Sequence, residues 1–387
     1  MRTRSLLLLI NLSLLAYQTV GAEVPIRRFT VTRNDELHES FPDLARASNG
    51  HLVVAYQESE SHGGGAVSAI VTRVSSDQGR TWGERKVVKV VTNRVRDGWL
   101  NSPRLTRLRD DSLLLAIDHI PQNPPVAAPH NWSDNRAVIW LYRSRDHGRS
   151  WSDGEPTSIN RGIAPNVTQL KDGTLLIGVT RFDEEHETWR QYQLVYRSHD
   201  DGKTWSDAIT VARHDSRQPN EGDMVELSDG TIVCYMRDDQ AGVTNGLKAF
   251  SRDGGRTWSS LFGSGPWVYA GRPAVGLLST GEILLTTRVG PPQAGHWFGA
   301  YLETPRQALV PTGLEAPVTA GSIARLIDND TNRERPDRGY SGWVELDDGS
   351  IYVVQYITSE APAHKPFIRG YLIPRSFFGL APLDDAR

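Results

Sequence analysis

The stretch APNVTQLKDGTLLIGVT (164–180), followed by YQLVYRSHDDGKTW (192–205), holds both patterns that decide the fold. Its first part is two apolar runs around Asp172-Gly173. An Asp-Gly pair lets two antiparallel strands reverse, because the turn needs a residue that accepts positive φ. YQLVYRS reads as a third strand, and SHDDGKTW (198–205) as a tight turn held by an Asp side chain and closed by a Trp.

Working outward, the hairpin recurs as FPDLARASNGHLVVAYQ (41–57), SPRLTRLRDDSLLLAIDH (102–119), EGDMVELSDGTIVCYMR (221–237), RPAVGLLSTGEILLTTR (272–288) and YSGWVELDDGSIYVVQY (340–356). The turn markers Gly50, Ser112, Gly173, Gly230, Gly281 and Gly349 are 62, 61, 57, 51 and 68 residues apart. The octapeptide recurs as SSDQGRTW (75–82), SRDHGRSW (144–151) and SRDGGRTW (251–258). A fixed repeat of this length, each unit a hairpin plus a third strand, predicts an all-β, six-bladed β-propeller with four Asp-boxes and almost no helix. The strand RRFTVTR near residue 27 is expected to complete the last blade. Asp77, Asp146, Asp200 and Asp253 are read as turn-holding groups, because devices repeated this regularly serve packing. Trp82, Trp151, Trp205 and Trp258 are expected to pack each turn onto its own blade.

The first 22 residues read as a signal peptide: Arg2 and Arg4, an apolar run from Leu6 to Leu15, and the small-residue site Val20-Gly21-Ala22. Residues 23–387 are then expected to be a single exported domain, periplasmic or extracellular, monomeric and without a membrane span. Cys234 is the only cysteine, so an intrachain disulfide and a tandem-cysteine zinc site are excluded. A formal charge of −3, with both signs interspersed, gives no basic stripe for nucleic acid.

Equivalent offsets from the turn marker occupy equivalent places around the axis. Nine residues before it stand Phe41, Pro103, Ala164, Glu221, Arg272 and Tyr340; seven after it stand Gln57, His119, Thr180, Arg237, Arg288 and Tyr356. Both sets fall at the hairpin end away from the turn, where charge, Tyr and His gather. The loops leaving that face carry His62, His130, His186, His296 and His364, and His119 stands at the base of one. Loops on a rigid scaffold are where binding residues concentrate, so His62, His119 and His296 are substrate-binding candidates. Their spacing fits no fixed ligand pattern, and neither metal nor cofactor is expected.

The Asp-box repeats, together with NEGDMVELSDGTIVCYMRD (220–238) and YSGWVELDDGSIYVVQY (340–356), resemble the bacterial exo-sialidases over essentially the whole chain after residue 22. In that family a Tyr nucleophile is activated by a Glu, and three Arg hold the substrate carboxylate. The resemblance implies Tyr340 as nucleophile, Glu221 as activating base and Arg237 as one clamp arginine; register rather than motif offers Arg288 or Arg272 as another. The resemblance also implies a glycan substrate, whether oligosaccharide, polysaccharide or glycoconjugate, with sialic acid the family's default. Three positions depart from the pattern. Ser40 stands where the first clamp arginine belongs, and Gln355 falls where that arginine's bracing acid is expected. The general-acid Asp has no equivalent in ESESHGGGAVSA (58–69), leaving Glu58, Glu60 or His62 to replace it. These departures suggest a pocket rebuilt around Ser40 and Gln355. They leave two alternatives beside a retaining exo-glycosidase: a lyase or hydrolase acting on uronate-containing polysaccharide, and a non-catalytic glycan-binding propeller.

Overall fold

A computed structural model describes residues 25–62, 64–93, 97–120, 137–182, 190–240, 245–264, 271–290, 297–315, 322–330, 337–359 and 365–383. The proposed signal segment and His130, His186, His296 and His364 lie outside these residues.

The chain forms six four-stranded antiparallel sheets. The first strand of each blade is His38–Arg46, Trp99–Arg107, Ile163–Gln169, Pro219–Glu226, Ala274–Leu277 and Arg338–Glu345, for blades 1 to 6. Each first strand contacts those of both neighbouring blades, so the six line the central axis. Blade 6 takes its fourth strand from Arg27–Thr32, which pairs antiparallel with Phe367–Ile373. That is the closing strand expected from RRFTVTR, and it joins the start of the described chain to its end. Described helix amounts to Pro305–Ala308 and the 3-10 turn Arg375–Phe378. Among the described residues no helix is long and apolar enough to cross a membrane.

The core is six apolar clusters, one between each pair of adjacent blades. Leu52, Val54 and Tyr56 of blade 1 meet Tyr352, Val354 and Tyr356 of blade 6, for example. Alternating strands present one apolar set to each neighbour, so every blade is buried on both faces.

The Asp-boxes fasten these interfaces. In the blade 3 box, Asp200 accepts the Thr204 amide at 2.9 Å and the Thr204 hydroxyl at 2.6 Å, and the Ser198 hydroxyl donates to it at 2.8 Å. Asp77, Asp146 and Asp253 make the same bonds with Thr81, Ser150 and Thr257. The box glycine has positive φ and lies against the preceding blade: a Cβ on Gly148 would come within 2.8 Å of Val53, and one on Gly79 would collide with the Tyr352 ring. Trp82 and Trp151 do the same, against the expectation that each packs its own blade, whereas Trp205 and Trp258 donate to the Gly202 and Gly255 carbonyls of their own turns. Trp151 donates to the Thr72 hydroxyl of blade 1 at 3.2 Å, and Trp82 packs against Tyr352 of blade 6. A repeat read one unit at a time does not say which neighbour its turn will touch.

The axis is asymmetric. On the turn-marker side the first strands enclose a cavity of about 680 Å³ that reaches Arg46, Lys171, Glu226 and Glu345. The opposite end holds the residues singled out by register.

Candidate active site

Five first strands carry a β-bulge close to their start: between Ser40 and Asp43, Asn101 and Arg104, Ile163 and Asn166, Asn220 and Asp223, and Gly339 and Ser341. At each one a non-glycine residue has positive φ: Phe41 (54°), Ser102 (40°), Ala164 (52°), Glu221 (48°) and Tyr340 (26°). A bulge inserts one extra residue and redirects its side chain. Such a backbone costs about 1–3 kcal/mol per residue and persists only where the surroundings enforce it. For Glu221 the enforcing groups are visible. Its amide donates to the Thr180 hydroxyl at 2.7 Å, and the Gly222 amide donates to Gln193 Oε1 at 2.8 Å, both in blade 3. A Cβ on Gly222 would come within 2.8 Å of Cys234 Sγ, so this approach requires glycine.

The bulges of blades 4 and 6 bring Glu221 and Tyr340 together: the Tyr340 hydroxyl donates to Glu221 Oε1 in a short hydrogen bond. Arg237 Nη1 donates to Glu221 Oε2 at 3.0 Å, and Arg237 Nη2 pairs with Asp239 Oδ1 at 2.6 Å. The Arg272 guanidinium lies 4.7 Å from the Tyr340 ring centroid, and Phe41 packs against the same ring at 4.9 Å. Burial alone would raise the Glu221 carboxyl; Arg237, Arg272 and the Tyr340 hydroxyl outweigh it and hold the group below its ordinary range. Burial and the Glu221 charge push the Tyr340 phenol far above its usual value. The resting pair is a neutral phenol bonded to an ionised carboxylate. As the phenol oxygen attacks an electrophilic carbon, its proton can pass to Glu221 along the existing bond.

The other register residues divide by exposure. Arg237 and Arg288 are partly exposed. Arg288 donates to the Arg338 carbonyl at 3.2 Å. Arg272 is 2 % exposed and donates to the Pro165 carbonyl at 2.7 Å, spanning from blade 5 to blade 3. It therefore supports Tyr340 from beneath. His119 is partly buried, its Nε2 at 2.7 Å from the Asp97 carbonyl and its ring against Trp140. Ser40 and Gln355 are fully buried, and Gln355 is bonded to the Tyr371 hydroxyl, so neither presents a surface to a ligand.

Sequence reading singled out His62 but missed its two partners beside this pair. Asp337 Oδ2 receives His38 Nε2 at 2.9 Å and His62 Nδ1 at 3.1 Å. His38 and Asp337 each stand three residues before a bulge residue, Phe41 and Tyr340, so extending the repeat alignment by three positions would have exposed them. Asp118, fully buried and pushed up to about 6 by burial against the opposing pull of Arg272, was also missed. Among the described residues, His38, His62 and Asp337 are the one group with three metal-capable atoms mutually within 4.8 Å. Both imidazoles already converge on a single carboxylate oxygen, which describes a hydrogen-bonded relay.

The BNR repeat-like domain model matches residues 28–233, more than half of the chain. No curated protein matches. A solved protein of unknown function from Dyadobacter fermentans superposes with a TM-score of 0.71 at 21% identity, covering 90% of this chain and 99% of that one. The NanB sialidase of Streptococcus pneumoniae gives 0.63 at 13% identity, with 90% and 70% covered. An α-L-arabinofuranosidase from Fusarium graminearum gives 0.59 at 13% identity, with 91% and 99% covered. The fold therefore has glycosidases among its structural neighbours. With the family match and the closed ring of six blades, the chain belongs to the BNR repeat-like family as a divergent, sialidase-like six-bladed propeller.

Proposed function

We propose that this chain is a retaining exo-glycosidase that removes a terminal acidic sugar from a glycan, with Tyr340 as nucleophile and Glu221 as its base. The observation that carries the reading is the Tyr340 hydroxyl donated to Glu221 while Arg237 holds the other carboxylate oxygen. A neutral nucleophile suits a sugar that bears its own carboxylate, because an anionic one would be repelled. Arg237 and Arg288 supply partly exposed guanidinium groups for that carboxylate, whose planar fork matches two parallel hydrogen bonds. Arg272 is committed to backbone carbonyls, and Ser40 brings no charge. With one charge-assisted contact fewer, a simple sialoside should be held about ten- to a hundredfold more weakly than in a three-arginine clamp. Another terminal acidic sugar, such as a uronide, is expected to be the better substrate. Export and action as a monomer belong to the same proposal.

The test is turnover on a panel of sialosides and uronides, by the unmodified chain and by Tyr340→Phe. The substitution deletes one hydroxyl; it should abolish nearly all turnover and leave the melting curve in place. Persistent turnover by Tyr340→Phe would sink the nucleophile assignment. An ultraviolet-absorbing unsaturated product would instead identify a lyase.

A further inference from the structure

We propose that His62, oriented by Asp337, is the proton donor to the leaving oxygen in the glycosidic cleavage assigned to Tyr340 and Glu221. The inference rests on that assignment.

Breaking a glycosidic bond needs a proton on the departing oxygen, and Glu221 cannot give one while it is receiving the phenol proton. Among the described residues, the other acidic groups near this end of the axis are engaged. Glu39, pushed up to about 7 by burial, has almost no exposed surface and accepts the Thr32 hydroxyl at 2.8 Å. Glu58 is buried and bidentate with Arg85 Nε at 2.8 and 2.9 Å. Glu60 accepts the Ala66 amide of its own hairpin at 2.8 Å. Asp239 pairs with Arg237, and Asp118 has no exposed surface. His62 is itself bonded to Asp337, and it also meets the aromatic ring beside Tyr340. Its side chain is 46% exposed, and its ring packs edge-on against Phe41 at 5.4 Å, the residue whose ring also touches Tyr340.

The surroundings of His62 are those of a held proton donor. Asp337 binds its Nδ1, which fixes the ring and leaves the Nε2 proton as the one delivered. The same oxygen is bound by buried His38, and the Tyr356 ring lies 6.4 Å from that of His62. Two residues before His62 in the chain, the Glu60 carbonyl accepts a bond from Lys365. His38 and His62 outweigh the effect of burial on Asp337 and hold it far below the ordinary carboxylate range, so it stays ionised.

The step balances. Tyr340 Oη bonds to the anomeric carbon, the bond to the leaving oxygen breaks, the phenol proton goes to Glu221, and the His62 imidazolium proton goes to the leaving oxygen. Water then attacks the anomeric carbon, neutral His62 takes its proton, and Tyr340 recovers its own from Glu221 as it departs.

The experiment compares two glycosides of whichever sugar the unmodified chain turns over: a 4-nitrophenyl glycoside, whose leaving group needs little protonation, and a methyl glycoside, whose leaving group needs it fully. His62→Ala should lower kcat/KM on the methyl glycoside by about 10²–10⁴-fold and on the nitrophenyl glycoside by less than about fivefold. It should also abolish the basic limb of the pH profile. Asp337→Asn, which keeps a hydrogen-bonding side chain without its charge, should move that limb to lower pH. Equal losses on both glycosides, or none on either, would overturn the donor role while leaving Tyr340 and Glu221 in place. Loss of activity on chelation with recovery on zinc would overturn it in favour of a metal site. If Tyr340→Phe keeps full activity, or neither glycoside of any sugar is turned over, the glycosidase reading itself fails.

Discussion

Glu221 and Asp223 are two residues apart on one strand, yet they belong to different kinds of site. Asp223 lies deeper along the axis with Asp43, and Arg104 reaches both, at 3.8 and 3.3 Å. Each aspartate also accepts a backbone amide from the next blade, Asp43 from Leu105 and Asp223 from Val275, both at 2.8 Å. Arg104 donates to the carbonyls of Ser341 and Pro273. This cluster ties blades 1, 2, 4, 5 and 6 through groups that cannot change partner unless strands move. Glu221 is held by two side chains, from Tyr340 and Arg237. Burial raises Asp43 and Asp223 in spite of Arg104, whereas in Glu221 the arginines win. Similar carboxylates at neighbouring depths thus serve as a latch when backbone amides hold them and as a reactive group when side chains do.

The comparison breaks most visibly at Arg104. Replacing it with Met leaves two buried carboxylates without their cation, a loss of about 3–5 kcal/mol for one member of a buried ion network. We expect a large fall in the denaturation midpoint for Arg104→Met. A midpoint close to that of the unmodified chain would mean that the deep cluster is not a latch.

Arg237→Lys sharpens the other side. Lysine keeps the charge but loses the fork that joins Glu221 to Asp239. Turnover should fall about ten- to a hundredfold, the equivalent of one charge-assisted hydrogen bond, with the melting temperature almost unmoved. A stability loss as large as that of Arg104→Met would make Glu221 and Arg237 a second latch.

The ring of blades and the Asp-box turns were legible because each is a repeat, and repetition survives divergence; the closing strand followed from the need to complete the last blade. The pairing of Glu221 with Tyr340 was legible through register and through the resemblance of their two hairpins to those of the exo-sialidases, although 119 residues separate them in the chain. The bulges that aim them were hidden, although four of the five leave a trace as a Pro or Gly after the bulge residue, Phe41-Pro42, Ser102-Pro103, Ala164-Pro165 and Glu221-Gly222, whereas Tyr340 is followed by Ser341. At a bulge the ladder is interrupted, so proline's missing N–H costs little there. The depth of Arg272, Ser40 and Gln355 was not legible, because the repeat fixes height along the axis and says nothing about which side chains neighbouring blades will cover.

The smallest expected effect concerns the Asp-boxes, which face away from the reacting pair and should answer to stability alone. Burial, the largest single influence on Asp253, raises it, but its carboxylate accepts the Thr257 amide and hydroxyl and the Ser251 hydroxyl, and these bonds together hold it down to about 2. A carboxyl depressed in the folded state binds its proton more readily when unfolded. Its contribution is therefore complete above the unfolded value near 3.8 and is lost as pH falls through about 2. Asp253→Asn should melt lower than the unmodified chain at pH 6, by on the order of 2 °C for a chain of this size. The gap should narrow as pH drops from about 4 towards 2. Four similar turns share the load around the ring, so the loss of one should leave turnover at pH 6 unchanged. A fall in turnover without a fall in melting temperature would mean that the boxes take part in the chemistry, and would erase the division between the two ends of the propeller.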